Sequence, residues 1–399
     1  MTDFMTIDDL GDISGKRVLV RADLNVPFKA GVVSDFTRLE AVKPTLNDLC
    51  AKGATCLVLS HFGRPKGQRV SEMSLAPVAD ALGKVLSKPV VFIDDCKGSA
   101  AQSAAQALNP GSVAVLENTR FYAEEEANDP NFASAIAQLG DIYVNDAFSA
   151  AHRAHASTEG LAKVLPAYAG RSMERELKAL SAALEEPKRP VAAVVGGAKV
   201  SSKLDVLTNL VEKVDHLIIG GGMANTFLAA KGVDVGKSLC EHDLTGTALQ
   251  ILGKAEASSC TVHLPYDVVV AQAFEENAPS QVVNVHEVGA DDMILDVGPA
   301  AVEACADALK VCRTLVWNGP MGAFEITPFD RGTVQLAQAA AALAAGESLL
   351  TVAGGGDTVA ALNHAGVASQ FNHISTAGGA FLEWMEGKTL PGVAALQAA

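Results

Sequence analysis

VAAVVGGAKVSSK, residues 191–203, is the stretch on which the reading of the chain turns. Five apolar residues, Val191 to Val195, have the length and composition of a strand buried on both faces. The run breaks at Gly196-Gly197, where the absent Cβ lets backbone approach a ligand closely. Ser201 and Ser202 are the expected caps of a helix carrying Leu204, Leu207 and Leu210. Strand, glycine turn and helix start leave unpaired N–H groups at the positive end of a helix dipole, which makes an anion site. Lys199 and Lys203, four apart, can serve the same anion. Taken alone, the stretch is either a phosphate cradle or an ordinary βα turn with two surface lysines.

The flanking chain repeats the pattern. In the first half, apolar strands run into polar residues: VLVRADLN (18–25), TCLVLSHFGRP (55–65), VVFIDD (90–95), VAVLENTRF (113–121) and DIYVNDAF (141–148). Helical periodicity lies between them, over 37–49, 75–86, 100–108 and 131–139, with Pro44 expected to kink or end the first helix. In the second half the strands run into glycine: VAAVVGG (191–197), HLIIGGG (216–222), LVWNGP (315–320) and LLTVAGGGD (349–357). Alternating β and α implies a mostly parallel sheet with helices on both faces, and ligands bind outside the carboxyl ends of such strands. One lobe therefore offers side chains to a small anion, and the other offers bare backbone to a nucleotide. Between them MERELKALSAALEEPKRP (173–190) reads as a connecting helix over about 173–187, ended by Pro187 and Pro190.

The 399 residues suffice for two or three domains. A net charge of -15 argues against a nucleic-acid or membrane-surface binder, so any anionic substrate must be met by locally gathered arginines. Seven cysteines without a C-x-x-C pair read as reduced thiols, with neither a zinc site nor a disulfide framework. No signal peptide or membrane span is visible, which leads to the expectation of a cytoplasmic protein.

Asp23 and Asn25, two apart, face the same side of the first strand end; alone, Asp and Asn there are usually turn formers. Arg38 opens the next helix, and His61, Arg64, Arg120 and Arg153 follow strand ends. A single such arginine is usually a solvated surface residue. Four arginines with a histidine along one sheet edge make a set of guanidinium forks suited to phosphate and carboxylate. GGGDT (354–358) is expected to hold phosphate on Thr358 and backbone N–H groups, with Asp357 on Mg²⁺; a capping Asp is the alternative. GVDVGKS (232–238) is one residue short of a P-loop, GGGMAN lacks the third glycine of a dinucleotide fingerprint, and His152 and His155 have no metal-spaced partner. No G-x-S-x-G elbow occurs.

RADLNVP, SHFGRP, LENTRF, NDAF with AHRAHAS, GGAKVSSK, GGGMANTF, VWNGPMGAFE, GGGDT and STAGGAFLEW stand in this order along nearly the whole chain. The chain thereby resembles the phosphoglycerate kinases. The resemblance implies two Rossmann-like lobes joined by a hinge helix: residues 1–170 for phosphoglycerate and 171–386 for nucleotide, with a tail over about 387–399 returning to the first lobe. It implies reversible in-line phosphoryl transfer from 1,3-bisphosphoglycerate to ADP, after domain closure, in a monomer. Phosphoglycerate would lie on Asp23, Leu24, Asn25, Arg38, His61, Phe62, Gly63, Arg64, Arg120 and Arg153. ADP or ATP would lie on Gly197, Lys199, Lys203, Gly221, Leu295, Asn318, Pro320, Glu325, Gly354, Gly355, Gly356, Asp357 and Thr358, with Mg²⁺ on Asp357. Arg38, Lys199 and Lys203 would act on the transferring phosphoryl and nucleotide phosphates, helped by backbone at Ala377 and Gly378.

Three positions depart from the common family pattern: Ser149 for glycine, Asn225 for an aromatic residue and Ala377 for glycine. The last matters only if the backbone there needs positive φ. A nicotinamide dehydrogenase would require a complete G-x-G-x-x-G. A non-catalytic two-lobe solute binder would need neither the lysine cradle nor the second glycine-Asp site.

Overall fold

The computed structural model describes residues 4–29 and 31–397. Positions 1–3 of the expected first lobe and 398–399 of the expected tail lie outside the described residues. The described residues form two compact units, one of Lys178–Lys388 and one of residues 4–177 with 389–397.

Each unit is built on a six-stranded parallel sheet. In the first, the strands lie in the order Val90–Ile93, Val113–Leu116, Thr55–Leu59, Arg17–Arg21, Ile142–Asn145, Ala167–Ala169. Alternation along the strands divides two cores: Val18, Val20 and Val58 join one cluster, and Leu19, Leu57 and Leu59 the other. In the second unit the order is Thr261–His263, His216–Ile219, Val191–Val195, Thr314–Asn318, Leu350–Gly354, His373–Ser375. Successive connections leave the middle of each sheet in opposite directions. The resulting switch points, where a crevice opens above the strand ends, fall between Arg17–Arg21 and Ile142–Asn145, and between Val191–Val195 and Thr314–Asn318.

Several local expectations are corrected. Pro44 does not end the first helix, which runs Thr37–Ala51; Leu39, Val42, Leu46 and Leu49 pack along one face across it, and that burial carries the helix past the missing N–H. The first strand stops at Arg21, so Asp23 and Asn25 belong to the following loop. Ser201 and Ser202 do not cap the helix Leu204–Leu210. A 3₁₀ turn, Val200–Ser202, precedes it, and their hydroxyls donate to Glu241 Oε1 at 2.6 Å and to the Lys199 carbonyl at 2.7 Å. The second unit also holds an antiparallel sheet, Ser280–Asn284, Asp267–Ala271 and Met293–Val297, that the βα alternation does not foretell.

The connecting segment is a helix, Arg171–Leu180, continued by one wider turn over Ser181–Glu185. At the other end of the chain the short helix Pro391–Ala394 lies against the first unit, where Gly392 N donates to the Ala151 carbonyl at 2.8 Å. Among the described residues no helix is long and apolar enough to cross a membrane.

Candidate functional site

In the first unit the switch point gathers cations. Arg21 ends its strand almost wholly buried, at 1% exposure. Among the described residues it pairs with no carboxylate directly: it donates to Ser157 Oγ at 2.9 Å, to the Ala22 carbonyl, and to His61 Nδ1 at 3.0 Å. Ser157 passes the charge on by donating its hydroxyl to the buried Glu125. Since a guanidinium only donates, His61 accepts at Nδ1 and carries its proton at Nε2. Burial, and then the charges of Arg21, Arg120 and Arg153, hold the His61 pKa well below the usual imidazole range. His155 is pushed down to about 4, first by burial and then by Arg120, Arg21 and Arg153. Burial first, and the charges of the same guanidinium groups second, keep both imidazoles neutral, while Arg120 pairs with the half-exposed Glu126 at 3.0 Å.

The loops that carry these groups are fixed by amides. Asn118, fully buried, accepts from Phe62 N at 3.1 Å and donates to the Phe62 carbonyl at 2.8 Å, clamping the SHFGRP loop. Asn25 Oδ1 accepts from Gly63 N at 3.0 Å, and Arg120 Nη1 donates to the Gly63 carbonyl at 2.9 Å. Asp23 accepts from Arg38 Nη1 at 2.7 Å and from Ser149 Oγ at 2.5 Å. The serine that replaces the usual glycine thus ties the two loops of the crevice together. Arg153 donates from Nε to His152 at 3.1 Å. Arg64 is exposed and makes no side-chain hydrogen bond or ion pair among the described residues. Leu24 is fully buried, its N–H donating to Ser60 Oγ at 2.9 Å and its carbonyl accepting from Val26 N at 2.9 Å, so it shapes the loop from within; Phe62 is half-buried. Arg21 and Asn118 escaped sequence reasoning. An arginine inside an apolar strand was the available signal for the first; Asn118, inside LENTRF, had none beyond its motif.

In the second unit the switch point holds a lysine. Lys203 Nζ donates to the Gly196 carbonyl at 2.6 Å and, across the crevice, to the Asn318 carbonyl at 3.0 Å and Asn318 Oδ1 at 2.5 Å. Burial lowers its pKa to about 8, while Asp357 pulls the other way. Asn318 Nδ2 in turn donates to the Gly354 carbonyl at 2.7 Å, so one amide spans three strand ends. The turns require glycine: Gly221 has φ 68°, and a Cβ there would lie 2.6 Å from the Gly197 carbonyl. At Gly355, φ is 100°.

Helix starts converge on this edge. The helices Gly222–Ala230, Gly356–His364 and Gly378–Met385 all begin without a side-chain cap. Gly378 lies against Gly355 and Gly356, so two of these N-termini adjoin. The N–H groups and dipoles at the starts of Gly356–His364 and Gly378–Met385 suit anionic oxygen, whereas in Gly222–Ala230 Met223 N already donates to the Gly197 carbonyl at 3.0 Å. Ala377 has φ −98°, a conformation open to any L-residue, so alanine supplies the same backbone N–H as glycine. Thr358 is buried and its Oγ1 accepts from Gly319 N at 2.7 Å. Lys199, Asp357 and Glu325 are exposed. A recess beside the turn at Gly221 is lined by Ala224, Asn225, Leu295 and Met321. Asn225 Nδ2 donates to the Leu239 carbonyl at 3.1 Å while its buried Oδ1 has no partner among the described residues. Pro320 is buried, its carbonyl pressed on Gly196.

Among the described residues no three His, Cys, Asp or Glu side chains group into a metal cage. A single free carboxylate at a phosphate-type cradle still fits Mg²⁺, which is commonly held by one or two carboxylates together with substrate phosphates.

A family model described as phosphoglycerate kinase matches residues 7–388. Similar proteins include the phosphoglycerate kinase of Rhizorhabdus wittichii, 69% identical over 395 residues that cover 99% of this chain and 100% of that one. That of Zymomonas mobilis is 68% identical over 395 residues, covering 99% and 100%. Among solved structures, phosphoglycerate kinase from Coxiella burnetii aligns with a TM-score of 0.93 at 44% identity over 99% of both chains. The enzyme from Pyrococcus horikoshii aligns with a TM-score of 0.80 at 32% identity over 98% of both.

Proposed function

The chain belongs to the phosphoglycerate kinase family, whose reaction moves a phosphoryl group reversibly from 1,3-bisphosphoglycerate to ADP, and from that premise we propose how its residues divide the work. The first unit takes the phosphoglycerate. Arg64, Arg120 and Arg153 meet its phosphate and carboxylate as forked donors. His61 donates from Nε2, and Asp23 and Asn25 hold the loops and accept from substrate hydroxyls. Arg38, kept in place by Asp23, faces the acyl phosphate and the group in transfer.

The second unit takes the nucleotide. Lys203 and the N–H groups opening the helices at Gly356 and Gly378 hold its phosphates, Lys199 meets the transferring phosphoryl, and the recess at Leu295 takes the base. Asp357 would hold Mg²⁺, which when bound neutralises the nucleotide phosphates. The acceptor is an already ionised phosphate oxygen, so no side chain has to remove a proton in the direction of ATP synthesis. Catalysis is positioning and charge stabilisation. A monomer in a reducing cytoplasm fits the seven free thiols.

The observation that carries this reading is the contrast between the two switch points, one a field of guanidinium groups and the other a glycine cradle around a buried lysine. Calorimetry on the full chain tests it. Arg153→Ala should lose 3-phosphoglycerate affinity and keep that for Mg-ADP, and Asp357→Asn should do the reverse. Equal loss of both ligands in either variant refutes the division.

A further inference from the structure

One pair of side chains in the first unit has reactive chemistry that phosphoryl transfer does not use. Cys50 lies in the last turn of the helix Thr37–Ala51, and Cys56 is the second residue of the strand Thr55–Leu59. Both are free thiols, and their Sγ atoms are 3.7 Å apart. Cys56 is fully buried and Cys50 half-buried, so of the two residues only Cys50 reaches solvent. The hydrogen bond from Cys56 holds the Cys50 thiol below the usual range against the cost of burial, and Lys88 adds to the effect. The same contact, with burial, pushes Cys56 up.

We propose that Cys50 and Cys56 form a reversible dithiol–disulfide couple that reacts with hydroperoxides, Cys50 attacking and Cys56 resolving. In the first step the Cys50 thiolate attacks a peroxide oxygen, the O–O bond breaks, and a sulfenic acid forms as hydroxide or alkoxide leaves and takes up a proton. In the second, Cys56 sulfur attacks Cys50 Sγ as its proton passes to the departing hydroxyl. The S–S bond forms, the S–O bond breaks, and water leaves. Two electrons pass from the two thiols to the peroxide.

A disulfide requires about 2.05 Å between sulfurs, so the pair must close by about 1.7 Å. A resolving thiol already in contact diverts Cys50 from sulfinic acid, the irreversible product. Arg38 stands twelve residues earlier in the same helix, roughly 18 Å away at 1.5 Å per residue. Oxidation should therefore leave turnover within about twofold.

The test treats the full chain with hydrogen peroxide and follows intact mass, mapped peptides and turnover. The expected product is about 2 Da lighter, cross-linked between Cys50 and Cys56, restored by dithiothreitol and still active. Cys50→Ser should abolish the cross-link and leave Cys56 reduced. Cys56→Ser, or Cys56→Ala if the serine variant does not fold, should leave Cys50 trappable by dimedone as a sulfenic acid. Cys50 collecting as sulfinic acid in the unsubstituted protein, a cross-link between other cysteines, or both thiols surviving the treatment would each overturn the proposal.

Discussion

Nucleotide binding should take up a proton, and Lys203 is the reason. All three acceptors of its ammonium group are neutral oxygens, and burial brings its pKa to about 8. A nucleotide phosphate placed beside it supplies the missing negative charge and restores the protonated form. At pH 8.5 the free protein carries that proton in about a quarter of molecules, so binding should take up about 0.7 proton; at pH 7 the uptake should be about 0.1. A terminal phosphate, with a second pKa of about 6, is already ionised at pH 8.5 and adds nothing. Titration calorimetry of ADP in two buffers of different ionisation enthalpy measures the uptake directly. In Lys203→Met the uptake should vanish and ADP affinity should fall at least tenfold. An uptake below about 0.2 proton at pH 8.5, or the same value in the variant, refutes the reasoning. The same shift acts on stability. The folded pKa lies below the ordinary 10.5, so below pH 8 both states hold the proton and the buried charge costs its full amount. Between pH 8 and 10.5 the unfolded chain binds more protons, and the free protein should gain up to about 3 kcal/mol as pH rises.

Arg38→Ala should lower turnover on the order of 10³-fold with an unchanged melting curve, because its side chain is 40% exposed and its pair with Asp23 adds little to stability; a loss under tenfold contradicts the assignment. Gly221→Ala places a Cβ at positive φ against the Gly197 carbonyl. It should destabilise by roughly 1–3 kcal/mol and weaken ADP far more than 3-phosphoglycerate, measured by denaturant unfolding and calorimetry. His61 should titrate well below the ordinary imidazole range and should carry its proton on Nε2, as nitrogen-detected NMR can read; a midpoint near 6.5 would mean that neither burial nor the arginine charges act on it.

Local information settled the architecture. Short apolar runs ending in glycine or in charged residues, with helical periodicity between, define parallel strands and their ligand edge from near neighbours alone, and the order of the motifs points to the family. Burial on both faces follows from five consecutive apolar residues such as Val191 to Val195, and Gly197 marks a close approach because only glycine permits it. Partnership across the sheets was not legible. Lys203 lies 115 residues from Asn318, and Asn118 is 56 residues from Phe62. Those pairs exist only because strand order sets the two turns side by side. Ser201 and Ser202 look like caps in sequence, yet Glu241 takes one and the turn's own carbonyl the other. Arg21 reads as a misplaced charge until His61 and Ser157 close around it. Side-chain chemistry depends on what burial and strand order bring within about 3 Å, and for these residues only the tertiary structure decides that.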